Sequence, residues 1–119
     1  MNMFFLYFLM EELDIQEFMK IDLRVGQIKA VKDHPNADKL YILLVDMGPL
    51  QSDFQLVSGL RQHYGKEDLL GKQVVVVRNL KPSVIRGVES NGMLLAAVHK
   101  GQIAVVSPDK KIEVGAKVE

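Results

Sequence analysis

Residues 21–32, IDLRVGQIKAVK, set Ile21, Leu23 and Val25 at every second position and then shift phase, with Ile28 and Val31 following Gly26. A period of two is the signature of a strand with one buried face. A glycine inside such a run marks a bulge or sharp bend where the pattern changes face. Further short runs follow at 41–47, 54–57, 73–78, 93–99 and 102–106, with 112–118 read as an extended tail. Turn chemistry separates them: His34-Pro35-Asn36-Ala37-Asp38, Gly48-Pro49 and Lys100-Gly101. The β-branched Val74-Val75-Val76-Val77 reads as a fully buried strand. A helical turn is expected at 66–70, between the third and fourth strands.

This pattern predicts an all-β chain built as a small barrel. A helical insert after the third strand is where the five-stranded oligonucleotide/oligosaccharide-binding (OB) barrel carries its helix, and periodicity leaves that barrel as one choice among several. A short N-terminal helix is expected at 14–19, with Asp14 as N-cap and Glu17 three residues on. The expected organisation is an apolar and acidic extension (1–17), one barrel domain (18–106) and a tail (107–119).

A chain of 119 residues allows one domain with a real core. It has no cysteine, which excludes a disulfide scaffold, thiolate-bound zinc, an iron–sulfur cluster and a cysteine nucleophile. Net charge is zero, but Glu11, Glu12, Asp14 and Glu17 put −4 in the first 19 residues, so the remainder carries +4. The basic excess of the body suits an anionic partner.

Met1–Met10, MNMFFLYFLM, is apolar apart from Asn2. It falls short of the roughly 20 residues of a spanning helix and lacks a basic leader and a small-residue cleavage site. No membrane association is expected. A run this apolar is expected to pack against the chain's own core or a second subunit.

Catalytic and metal chemistry find no footing. Gly65 to Gly71-Lys72-Gln73 mimics a phosphate loop, but the glycines are too far apart, Gln73 replaces the Ser or Thr that would hold magnesium, and a strand follows where a helix is needed. Ser58 in Val57-Ser58-Gly59 lacks the preceding glycine of a nucleophile elbow. His34, His63 and His99 stand on separate segments without ligand spacing. No enzyme activity, cofactor or metal is expected.

Two segments carry information. In His34–Tyr41, Pro35 stiffens a loop and Lys39 projects at the start of a strand; a hairpin connection and a barrel-rim contact loop both fit. Between 78 and 100, Arg78, Lys81, Arg86 and Lys100 face Glu89 alone, a net +3. Asn79, Ser90 and Asn91 lie beside glycines that let a backbone approach a phosphate or base.

Asp22-Leu23-Arg24-Val25-Gly26, residues 34–41, Val57-Ser58-Gly59-Leu60, residues 71–82 and 86–97 occur in order and at matching separations. Together they resemble the tRNA-binding domain family, over about residues 18–106. That family includes stand-alone tRNA-binding proteins, the carboxy-terminal domain of methionyl-tRNA synthetases, and domains of a eukaryotic synthetase-complex cofactor and the human tyrosyl enzyme. The resemblance implies an OB barrel that binds tRNA by shape near its elbow, without catalysis and without reading the anticodon. Carried over by position, Asn36 and Lys39 fall in a first contact loop, Asn79, Lys81 and Arg86 in a second basic segment, and Ser90 and Met93 in a Ser-x-Gly-Met motif on the RNA-facing surface. Asn91 takes a place where many members have glutamine, another amide. Met93 suits core and contact equally, and Arg24 suits a groove contact or a pairing with an acid.

The expectation is a cytoplasmic homodimer that binds tRNA alone or as an accessory subunit of methionyl-tRNA synthetase acting in trans. Residues 1–9 precede the family-like part and would extend a dimer surface or reflect an upstream start. An export-related chaperone of the same fold, binding unfolded polypeptide, is the alternative. A barrel for oligosaccharide fits least, because 7% aromatics and no tryptophan give sugars or single-stranded bases little to stack on.

Overall fold

In the computed structural model, which describes residues 11–119, the alternating segment forms one long strand, β1 (Leu23–Asp33). The expected packing of Met1–Met10 lies outside the described residues. The first part of β1 pairs antiparallel with β4 (Gln73–Val77), from Leu23↔Val77 to Gln27↔Gln73. The second part pairs with β2 (Tyr41–Asp46), from Gln27↔Asp46 to Asp33↔Tyr41, with a register shift between Ile28 and Ala30. One strand therefore serves two halves of the barrel, and the change of phase in the sequence is the handover between them. Gly26 is buried at that handover. A Cβ there would run into the Val45 side chain and stand 2.8 Å from the Met47 sulfur, so the close crossing of β2 requires glycine.

β3 (Phe54–Ser58) follows β2, giving a five-stranded antiparallel sheet in the order β3-β2-β1-β4-β7, with β7 at Met93–Leu94. The sheet curls into a nearly closed barrel of the OB type. Its core holds Ile28, Leu43, Val45, Leu56, Val74 and Val76, with Leu60 and Leu69 packed among them. The neighbours Val75 and Val77 point the other way, into a second cluster with Leu23, over which Leu95 and Val118 pack. This is why Val74–Val77 is apolar on both faces.

The helical insert, α2 (Lys66–Leu69), lies between β3 and β4 as expected and buries Leu69. The N-terminal helix α1 is a single turn, Ile15–Phe18. Asp14 stands at its N-cap but makes no side-chain capping bond; its carbonyl accepts from Glu17 and Phe18 N–H instead.

Two elements depart from the expected strands. The run 93–99 divides into β7 and β8 (Ala96–His99), because Leu95 leaves the ladder to donate to Val75 O while its own carbonyl accepts from Val106. β8 then forms a hairpin with β9 (Gln102–Val105). Between β4 and β7 the charged segment holds a further hairpin, β5 (Ser83–Ile85) with β6 (Val88–Ser90). Its two turn residues, Arg86 and Gly87, have φ of 52° and 90°, the type I′ geometry that Asn-Gly usually announces. Arg-Gly carries no such signal. The tail lies along β1, with Gly115 N–H donating to Val25 O, Val25 N–H to Ala116 O and Val118 N–H to Leu23 O. Among the described residues no helix is long and apolar enough to cross a membrane.

Candidate functional site

His34 joins two loops that are far apart in the chain. It directly follows β1 and is 3% exposed. Its Nδ1 accepts from the Asn36 N–H at 3.0 Å, which leaves the ring proton on Nε2 to be donated to Ile85 O at 2.9 Å. The ring thus shapes the β1–β2 loop and pins it to the β5–β6 hairpin in one set of bonds. At the surface Arg86 Nη2 donates to Asn36 O at 2.9 Å, and Asn36 Nδ2 donates to Arg86 O at 3.3 Å. Gly87, beside Asn36, completes the turn. Arg61, which the sequence did not single out, props the same loop: it donates to Ala37 O at 3.3 Å and pairs with Asp33 at 3.5 Å, and Lys66 also pairs with Asp33. Its only sequence signal is its place directly after Val57-Ser58-Gly59-Leu60.

The other side of the hairpin is stitched to β3. Ser90 is 3% exposed, and its hydroxyl accepts from Val57 N–H at 3.0 Å and donates to Gly92 O at 3.2 Å. Gln55 Nε2 donates to Glu89 O at 2.8 Å, and Asn91 N–H donates to Gln55 O. Side-chain bonds and one backbone bond thus stand in place of a ladder where β3 meets β6.

Asn79 sits elsewhere, beside the chain entering β1. Its Oδ1 accepts from Asp22 N–H at 2.9 Å and its Nδ2 donates to Lys20 O at 2.7 Å. Asp22 alongside accepts from Arg24 Nε and Arg78 Nε, both at 2.8 Å. Desolvation works to raise the Asp22 pKa, but hydrogen bonds and charge from Arg78 and Arg24 together outweigh it and hold the carboxyl below its ordinary value. Arg24 also donates to Gly115 O, so of its two readings the structure shows the pairing with an acid.

Of the seven residues expected from the sequence, the structure joins Asn36 directly to Arg86. It places Asn79 in the Asp22 cluster and commits the Ser90 hydroxyl to backbone. Met93 is paired with Val77 and 49% exposed. Lys39 and Lys81 are exposed, and among the described residues neither enters an ion pair. Lys39 thus lies on the loop bonded to the β5–β6 hairpin, and Lys81 on the chain leading into β5.

The chain is similar to known proteins over most of its length. The sequence profile of the family described as "Putative tRNA binding domain" matches residues 23–117. The methionine–tRNA ligase of Pyrococcus horikoshii is 53% identical over 109 residues, which cover 92% of this chain but only 15% of that ligase. Among solved structures, the "MetRS related protein" of the same organism is 35% identical with a TM-score of 0.85, covering 92% of this chain and all of that one. The chaperone CsaA of Picrophilus torridus is 29% identical with a TM-score of 0.84, covering 91% and 100%.

Proposed function

The chain belongs to the tRNA-binding domain family, and on that premise we propose that it binds folded tRNA, without catalysis, on the rim made by residues 34–39 and the β5–β6 hairpin. The observation that carries the reading is the pair of bonds between Asn36 and Arg86, anchored beneath by His34. A basic turn residue held at positive φ is ordered before any ligand arrives, which lowers the entropy lost on binding. Arg86, Lys39 and Lys81 then act on phosphates. Asn36, Asn79 and Ser90 act mainly by positioning, because their polar groups already hold backbone. Met93 offers apolar contact from the rim. Phosphate contacts on a rigid frame select shape rather than sequence.

One barrel with few free cations is a weak binder, and a homodimer offers two such rims to one tRNA. In support, Ile15, Phe18, Met19 and Ile21 are all 40% exposed or more, an apolar face that a second copy would cover. The protein would act in the cytoplasm, alone or in trans beside a methionyl-tRNA synthetase. A chaperone for unfolded polypeptide is the second reading, favoured by the likeness to CsaA. A gel shift with total tRNA, an unstructured RNA of equal length and an unfolded protein competitor separates the two. Retardation of tRNA that the unfolded protein does not displace supports the first; displacement by the unfolded protein, with tRNA unbound, supports the second.

A further inference from the structure

We propose that Arg78, aimed by Asp22, is a phosphate-binding fork that carries the RNA contact from the rim onto the start of β1; this rests on the RNA-binding reading above. Every polar group of Asp22 holds this corner. Its N–H donates to Asn79 Oδ1 at 2.9 Å, and its carbonyl accepts from Arg78 N–H at 2.8 Å. Its two carboxylate oxygens accept from Arg24 Nε and Arg78 Nε, each at 2.8 Å. Arg78 is thus fixed by main chain and side chain together. An arginine–carboxylate pair frequently closes as two parallel bonds, one to each oxygen. Here Arg24 takes the second oxygen. Arg78 keeps a single bond, and among the described residues its Nη1 and Nη2 have no hydrogen-bond partner. Arg24 is tied on both sides, since its Nη1 donates to Gly115 O. Its side chain is 24% exposed, against 34% for Arg78.

The unused donors choose the ligand. Two Nη groups in one plane match the paired oxygens of a phosphodiester, which a guanidinium binds bidentately. The surroundings carry the right charge. Lys20, whose carbonyl accepts from Asn79 Nδ2, and Lys117, bridged to Arg24, are exposed. Neither enters an ion pair among the described residues. With Arg24 and Arg78 they set four cations around the Asp22 carboxylate, a net +3. Glu17 and Glu119 flank this patch in the sequence, and neither pairs with its cations. The patch adjoins the rim. Arg78 follows Val77, which pairs with Met93, and the chain from Asn79 through Lys81 leads into β5. A guanidinium already oriented by an acid loses less rotamer freedom when RNA arrives. Asn79, bonded to Asp22 N–H and Lys20 O, supports this fork from the side.

Asp22→Asn gives a positioning role and a merely structural pair opposite signs. Removing a negative charge beside bound RNA should tighten binding if the pair only braces the fold. If the carboxylate aims the fork, tRNA affinity should fall about three- to tenfold. Arg78→Lys keeps the charge but not the fork, so it should lose affinity with the salt slope unaltered. Arg78→Ala should lose about tenfold and flatten the slope by about one unit. Binding is measured where a thermal melt shows each variant folded. Labelling of wild-type arginines with phenylglyoxal, mapped by mass spectrometry, reads the site directly. Bound tRNA should protect Arg78 together with Arg86, and inorganic phosphate at the same phosphate concentration should protect neither. Arg78 equally reactive with and without tRNA, while Arg86 is protected, overturns the fork and leaves the rim intact. So does an Asp22→Asn variant that binds as tightly as wild type or tighter. Protection of Arg78 by inorganic phosphate but not by tRNA overturns the RNA contact in favour of a free-anion site. Should the variants not fold, the wild-type labelling alone decides. Absence of any wild-type tRNA binding overturns both readings.

Discussion

Arg86 and Asn36, fifty residues apart, exchange hydrogen bonds in both directions: guanidinium to Asn36 carbonyl at 2.9 Å, and carboxamide to Arg86 carbonyl at 3.3 Å. Arg86 holds this pose at a φ of 52°, a conformation that disfavours any side chain with a Cβ. Such strain persists where the surroundings over-determine it, and here His34 and Asn36 do so.

Arg86→Gly separates fold from function. Glycine relieves the positive φ by about 1–2 kcal/mol, and the lost side-chain bond costs about as much. The thermal midpoint should therefore move little. Binding of tRNA should weaken, and the slope of log affinity against log salt should flatten by about one unit. Titration at several salt concentrations beside a thermal melt checks both. Undiminished binding would mean that the hairpin tip does not touch RNA.

Ser90→Ala should behave in the opposite way. The change leaves Val57 N–H and Gly92 O short of a partner beneath the surface. Stability should fall by about 1–3 kcal/mol, read from urea denaturation. Any loss of tRNA affinity should come with an unchanged salt slope. An altered slope at full stability would instead make Ser90 a direct contact.

Asp22→Asn tests the ionic cluster through pH. The Asp22 pKa is depressed in the fold, so the unfolded chain takes up its proton first as pH falls. The stabilisation is complete above the ordinary carboxylate range and is lost as pH drops through the lower, folded value. The variant should be less stable than wild type near neutrality, and the gap should close in strong acid. Urea denaturation at about pH 7 and about pH 2 measures it. A gap of equal size at both values would mean that Asn cannot fit the site, whatever its charge.

Ile15→Asn with Phe18→Asn addresses assembly. Both side chains are exposed on α1, and neither belongs to a core cluster. In sedimentation the double variant should be monomeric with its barrel intact. Its tRNA affinity should fall although Arg86, Lys39 and Lys81 are unchanged. An unaltered oligomer would move the interface away from α1.

Much of the barrel was legible in the chain. The phase change at Gly26, the two-faced run Val74–Val77 and the insert at 66–69 follow from the periods that strands and helices impose on burial, and those periods are written locally. The resemblance of five ordered segments likewise pointed to the family. What the residues alone left open depends on contacts between distant parts. Arg86-Gly87 does not read as a hairpin turn, because its strained geometry is held by Asn36 and His34 from another loop. Arg24 was ambiguous until Asp22 and Arg78 were seen beside it. Ser58 reads as an ordinary turn serine; only the unclosed seam between β3 and β8 leaves its hydroxyl without a partner. Periodicity records which face of an element is buried, whereas hydrogen-bond partners fifty residues away are set only when the chain closes on itself.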